Sequence, residues 1–395
     1  MSTLVRRGAC IVVPFLASLA LGCSSSDEGG ASATRAADES ALSGIANTSF
    51  KSVCLEGNTA KGQMRCSAKV RTAPSGAIQA LSTPSGYGPA DLQAAYNEPP
   101  TGAAGTVAIV DAYDDPNAES DLAVYRSTYG LPACTTANGC FKKVNQAGVQ
   151  GNYPPADAGW AGEIALDIEM ASALCPSCKI LLVEATSASV ANLGTSVNTA
   201  VSLGASVVSN SWGGSEDSSD LTDDAAYFTH PGVALFASAG DAGFGVQYPA
   251  SSSNVIAVSG TTLSRSSVPP RGWTETGLGG GGCSSYEAKP TWQTDSLCAK
   301  RTLVDLAAVA DPNTGVAVYD TYGGSGWQVY GGTSAASPIV AAIFAYVGKG
   351  SADGAFIWRN PAAFYDVTSG GGAVPGYDEA TGWGTPNATA IRDAL

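Results

Sequence analysis

The chain has 395 residues, 44% of them hydrophobic and 14% charged, which is enough to bury one large core or two smaller ones and too apolar for a disordered tail or a fibre. Its 34 acidic residues against 20 basic ones leave a net charge of −14, a field that repels polyanions and argues against a nucleic-acid partner. The 48 glycines and 21 prolines suit a loop-rich extracellular enzyme better than a cytosolic one.

In chain order, Arg6 and Arg7 precede the apolar run Ala9 to Gly22, too short to span a bilayer and of the right length for a signal peptide over residues 1–22. An exported protein is therefore expected, extracellular or held at the cell surface. The run ends in LALGC at Cys23, followed by Ser24, Ser25, Ser26 and Asp27, which resembles the cleavage and lipidation site of bacterial lipoproteins. A lipid at Cys23 would give membrane attachment, whereas ordinary cleavage would release a soluble protein. Residues 23–50 are small and polar and read as a flexible tether. Residues 51–85 carry the first cysteine pair and no recognisable function.

If Cys10 leaves with the signal and Cys23 carries lipid, eight cysteines remain as four local pairs: Cys54 with Cys66, Cys134 with Cys140, Cys175 with Cys178, and Cys283 with Cys298. In an oxidising compartment these read as disulfides. The Cys175-Pro176-Ser177-Cys178 spacing also fits redox or zinc chemistry, but zinc wants four ligands and the chain has a single histidine.

From Tyr87 onward apolar runs at Val107 to Val110, Ile180 to Val183, Val207 to Val208, Val233 to Phe236 and Val255 to Val258 alternate with helix-length stretches near 119–128, 161–174, 189–203 and 219–229. Such alternation predicts an α/β fold, a mostly parallel sheet with helices on both faces. Chemistry is then expected in the loops that follow the strands. The glycine run 277–282 is either a filler or a place where substrate backbone comes close.

Ser334, in GGTSAASP, stands where a helix of the composition IVAAIFAYVGKG would begin, so that free backbone N–H groups could stabilise an oxyanion beside it. A plain helix cap is an equal reading. The usual base would be His230, but it precedes a strand-like run and so falls on the far side of the sheet. A carboxylate must then take the proton. Glu163 and Asp167, four apart in GEIALDIE, share a helix face, and like-charge repulsion within the pair raises one pKa; a solvated acidic face is the alternative. Asp241, in SAGDAG, ends a strand at a tight turn, and if protonated it could donate to an oxyanion.

GGTSAASP, GEIALDIE and SAGDAG, together with VVSNSWGGSED and YPASSSNVIAVSGTTL, resemble the sedolisin family of serine-carboxyl peptidases, which have the subtilisin-like fold. The resemblance runs from GYGPADLQAAYN near residue 86 to the end and implies a peptidase domain over 86–395. It implies that Ser334 is the nucleophile, Glu163 the general base, Asp167 the residue orienting it and Asp241 the oxyanion-hole acid. Asp111, in VAIVDAYDD, and Trp212, in SWGG, resemble supporting members of the same network, and SWGG with the glycine loop would border the substrate cleft. Asp366 and Asp378, with backbone oxygens of Val367, Val374 and Gly376, resemble the family's single structural Ca2+ site, an all-oxygen cage of the kind calcium prefers. Protein or peptide substrates and a monomer are expected. One departure is the N-terminal segment, residues 51–85, far shorter than the family's folded prodomain: it reads either as a reduced prodomain or as a sign that none is needed, which leaves activation unexplained and keeps open a binding module that cleaves nothing. Glycoside hydrolysis would suit the carboxylate pair but gives Ser334 and Asp241 no task.

Overall fold

The apolar runs form the centre of the computed structural model, which describes residues 49–54, 61–268 and 271–395. The expected signal peptide, Cys23 and residues 23–48 of the tether lie outside the described residues. Ser49 and Phe50, expected in the tether, belong instead to a strand, β1 (Ser49–Ser52). Two short strands follow, β2 (Arg65–Cys66) and β3 (Lys69–Thr72), before the first helix, α1 (Pro89–Ala95).

The main sheet is built from β4 (Thr106–Ala112), β5 (Phe141–Asn145), β6 (Lys179–Ala185), β7 (Val207–Asn210), β9 (Ala234–Ser238), β11 (Ile256–Arg265), β12 (Trp273–Gly277) and β13 (Leu306–Val309). Its order is β12-β11-β9-β7-β4-β6-β5, with β13 also paired to β11. Every pairing is parallel except β11 with β12. The connecting helices are α2 (Ala118–Thr128), α3 (Ala158–Leu174), α4 (Val190–Ser202) and α5 (Thr333–Tyr346).

The strand pleat decides which helix covers which face. Val107 and Ile109 of β4 pack into one core with Ile164 and Ile168 of α3 and with Ile339 and Ile343 of α5. Ala108 and Val110, pointing the other way, pack with Leu193 and Val197 of α4. Both α3 and α5 are buried almost throughout, as their uniformly apolar composition requires. The stretch 219–229 differs from the continuous helix expected: a turn of α-helix, Asp220–Asp223, gives way to a π-helical turn, Asp224–Phe228. There Asp224 turns inward to accept hydrogen bonds from Tyr248 Oη at 3.0 Å and Ser252 Oγ at 2.7 Å.

All four expected cysteine pairs are joined as disulfides, Cys175 with Cys178 included. The N-terminal strands do not stand apart from this frame. β3 pairs with β15 (Gly326–Gly331), which itself pairs with β14 (Val316–Asp320), and β2 pairs with β8 (Trp212–Ser215), whose other neighbour is β10 (Gln247–Tyr248). Residues 65–72 thus lie between β8 and β15.

Candidate active site

Three parallel strands end at one place. Asp111 closes β4, Ser211 and Trp212 follow β7, and Asp241 follows β9. α3 and α5 bring in the rest. α3 starts at Asp157, whose Oδ1 accepts from Gly159 N and Trp160 N at 3.0 Å each, and Glu163 and Asp167 then fall on successive turns of one buried face. Ser334 lies in the first turn of α5, just after Gly332, which has φ +88°.

The Ser334 hydroxyl donates to Ser211 O at 3.1 Å and is fully buried. Pro338 stands four residues on, and having no N–H it leaves Ser334 O without its helical donor; Ser211 Oγ lies 3.4 Å from that carbonyl and 2.9 Å from Asp167 Oδ1. Serine 334 is therefore more than a cap, since its side chain turns away from the helix backbone toward the carboxylates.

Glu163 Oε2 accepts the backbone N–H of Ala68 at 3.0 Å. Burial pushes the Glu163 carboxyl well above the usual range, the Asp111 charge pushes further, and hydrogen bonds from the Ser334 side chain and the Ala68 backbone oppose the rise. Asp167 is raised by burial, then by the charges of Asp111 and Glu163, and is held back by the Ser211 hydroxyl. Burial alone lifts Asp111 to about 8, and neither of its oxygens has a hydrogen-bond partner among the described residues. Three buried carboxyl groups that raise one another in this way cannot all ionise together, so they hold protons as a unit.

Asp241 Oδ1 accepts from Thr333 N at 2.8 Å and from Thr333 Oγ1 at 2.9 Å. Oδ2 is left facing the Cα of Gly332: a Cβ there would lie 2.8 Å from Asp241 Oδ2 and 2.0 Å from Ser67 O. Only glycine allows a carbonyl oxygen to sit at that point beside Asp241. Lys69 Nζ lies 3.3 Å from Asp241 Oδ2.

Trp212 is close in sequence but turned away. Its indole N–H donates to Val110 O at 2.8 Å, and its ring packs on Phe228 in the core behind Asp111. His230 lies before β9, at the end of the sheet opposite Asp241, where its Nε2 meets Asn198 Oδ1 at 2.8 Å and Tyr227 O at 3.0 Å. The glycine run packs against the chain itself: a Cβ on Gly281 would lie 1.9 Å from Glu379 O, and one on Gly279 3.1 Å from Gly371 O.

Near the C-terminus Asp366 Oδ2 accepts from Gly376 N at 2.9 Å, and Asp378 Oδ2 accepts from Val374 N at 2.9 Å. Asp378 Oδ1 accepts from Ala380 N, Thr381 N and Thr381 Oγ1. The two carboxylates and the 374–378 loop are thereby tied into one turn.

Residues 65–69 and Ser211 were not among the residues expected to form the site. Ser211 lies within the quoted VVSNSWGG motif and could have been flagged as the polar residue next to Trp212. Nothing in the spacing of residues 65–69 marks them, apart from the cysteine pair that precedes Ser67.

The subtilase family model matches residues 147–384. Kumamolisin from Bacillus sp. (strain MN-32) is 30% identical over 387 residues, a match spanning 83% of this chain and 67% of that protein. Sedolisin from Pseudomonas sp. (strain 101) is 35% identical over 175 residues, 38% of this chain and 29% of that protein. Among solved structures, Pseudomonas sedolisin (serine-carboxyl proteinase) complexed with two molecules of pseudo-iodotyrostatin aligns with a TM-score of 0.66 at 26% identity, covering 79% of this chain and 98% of that one.

Proposed function

Because the chain belongs to the subtilase family and, within it, to the sedolisin group of serine-type peptidases, we propose that it is a serine-carboxyl endopeptidase that cleaves protein or peptide chains in acid through an acyl-enzyme on Ser334. The observation that carries this reading is the convergence of Ser334, Glu163 and Asp167 in a fully buried cluster with no histidine in reach.

In the reaction, the Ser334 hydroxyl attacks a peptide carbonyl and Glu163 takes its proton. Asp167, sharing a proton with Glu163, orients that carboxylate and spreads the charge, with Ser211 fixing Asp167 in turn. The carbonyl oxygen becomes negative beside Asp241, which donates to it when protonated. Glu163 then hands the proton to the leaving nitrogen, and water reverses the first half-reaction to free the acyl group. A carboxylate in place of histidine as the base moves the working range to the acid side.

We place the enzyme outside the cell or at its surface, by export through residues 1–22 and with a lipid at Cys23 as the means of attachment; four disulfides support an oxidising compartment. One Ca2+ held by Asp366 and Asp378 with the carbonyls of Val367, Val374 and Gly376 would staple the C-terminal loop. Casein or peptide-library digestion at several pH values, with Ser334→Ala alongside, tests the reading. Products that appear with wild type between about pH 3 and 5 and vanish in the variant support it; identical products from both sink it.

A further inference from the structure

Residues 65–68 run across the site and show where a peptide chain lies in it. β2 adds to β8 as an antiparallel strand, Arg65 opposite Gly213 and Cys66 opposite Trp212. Ser67 follows, its N–H pointing at Ser334 Oγ at 3.1 Å and at Ser211 O at 3.2 Å. Its carbonyl oxygen occupies the place beside Gly332 that Asp241 Oδ2 faces, and the next N–H, of Ala68, reaches Glu163 Oε2 at 3.0 Å. Ser67 therefore stands where a substrate presents the residue whose carbonyl is attacked.

The pleat fixes what surrounds the side chain at that position. Residues two apart on a strand share a face, and so do residues directly opposite each other on paired strands. Ser67, two beyond Arg65, thus turns to the face of β8 that carries Gly213 and Ser215. Its hydroxyl shows the direction, lying 3.5 Å from Ser238 Oγ at the end of β9. On the other edge of β8, β10 sets Gln247 opposite Ser215, so the Gln247 side chain comes to this same face.

Two glycines open space on that face, and Gln247 fills it. A Cβ on Gly213 would lie 2.7 Å from Gln247 Oε1, and a Cβ on Gly240, which has φ +96°, would lie 2.4 Å from the same atom. The amide therefore sits between β8 and the turn after β9. The backbone behind it is held in place: Tyr248 pairs with Gly214, the Tyr248 hydroxyl is tied to Asp224 at 3.0 Å, and Ser251 N donates to Gln247 O at 2.9 Å.

We propose that Gln247 sets the substrate preference of the site by closing the pocket for the side chain ahead of the cut bond. The enzyme then cleaves after small residues, glycine, alanine or serine, and discriminates against large aromatic and aliphatic ones. Ser67, buried and small, fits the space that remains. A phenylalanine or tyrosine there would have to displace the amide from between the two glycines, and a packed site resists added atoms. Without the Gln247 side chain the same two glycines would leave a deep slot, since neither puts a Cβ into it.

The inference rests on the peptidase reading above, and its test separates the two. A peptide library varied at each position is digested at about pH 4 with wild type, Gln247→Ala, Gln247→Leu and Ser334→Ala, and the cut sites are read by mass spectrometry. In parallel, kcat/KM is measured for matched peptides carrying alanine or phenylalanine ahead of the bond. Wild type should favour alanine by at least about tenfold, the scale on which a single misfit methylene already discriminates. Gln247→Ala should lower that ratio at least about tenfold, whereas Gln247→Leu, close in size but without the amide, should keep it. Melting temperatures within a few degrees of wild type show that each variant is folded. Wild type that cuts after phenylalanine as readily as after alanine, or folded Gln247→Ala with an unchanged ratio, overturns the inference and leaves the peptidase standing. A ratio lost equally in Gln247→Leu shows that the amide acts by hydrogen bonding and not by filling space, which overturns it too. A library left uncut by wild type, or cut alike by Ser334→Ala, overturns the peptidase reading and the inference with it.

Discussion

Ser211 Oγ lies 2.9 Å from Asp167 Oδ1, joining the carboxylate pair on α3 to the strand end that also accepts the Ser334 hydroxyl. That bond holds the Asp167 carboxyl below the level burial and its neighbours would otherwise set. Ser211→Ala should therefore raise Asp167 further and make the pair harder to ionise. The acid limb of the kcat/KM profile moves to higher pH, and a buried acceptor left unpaired lowers stability by about 1–3 kcal/mol. A pH profile and a thermal melt check both; an unshifted acid limb would show that Asp167 does not feed the base.

Asp241 is anchored through Oδ1 by Thr333, while Oδ2 faces Gly332 and lies 3.3 Å from Lys69 Nζ. An asparagine can keep the same acceptor and present an amide that donates at every pH. Asp241→Asn should retain measurable turnover and carry activity further into the alkaline range, whereas Asp241→Ala should lose on the order of a hundred-fold or more. If folded Asp241→Asn is as inactive as Asp241→Ala at every pH, Asp241 moves a proton and is not a donor alone.

Glu163→Gln should abolish acyl-enzyme formation, since the amide cannot accept the Ser334 proton, while Asp167→Asn keeps a hydrogen bond to its partner and loses less. A burst assay with an activated ester, read together with peptide turnover, distinguishes the two. Equal loss in both variants would mean that the pair cannot be divided into base and orienting residue.

Stability should fall as pH rises. Burial lifts Glu98 and Glu184 to about 9, Glu287 to about 8 and Asp115 to about 7, each against an unfolded value near 4. Between those limits the folded chain binds more protons than the unfolded one, so the slope of unfolding free energy with pH is negative. Melting of the Ser334→Ala protein should be highest near pH 4 to 5 and drop by more than about 5 °C by pH 9. A melting temperature that climbs over this range would show that these groups ionise freely in the fold.

Chelation tests the C-terminal turn. Metal bound at a hundredfold excess over its Kd adds about 2.7 kcal/mol to the folded state, so exhaustive removal of calcium should lower the melting temperature by several degrees and Asp378→Asn should cancel the difference. An unchanged melt after confirmed metal removal counts against the site.

Five strands of the sheet were legible because they are continuous apolar runs, whereas β5 and β12, with their interleaved polar residues, were not; the four disulfides were legible because each pair is local. Glu163 and Asp167 could be read as one face because helical spacing is a property of sequence. The π-helical turn at Asp224 could not, since it answers to Tyr248 and Ser252, distant in the chain. Trp212 was legible as a neighbour of the site but not in its direction, which the Val110 carbonyl decides.

By itself, then, the sequence determined five strands of the main sheet, their parallel sense and the residue types expected at the site, because periodicity, spacing and composition act locally, whereas the strand order and the remaining strands were set by the fold. Only the tertiary structure decided that Ser67, Ala68 and Lys69 lie across Ser334, Glu163 and Asp241. The pairing of β2 with β8 and of β3 with β15 joins residues more than a hundred positions apart, and backbone hydrogen bonds at such separations carry no mark in the side chains that make them.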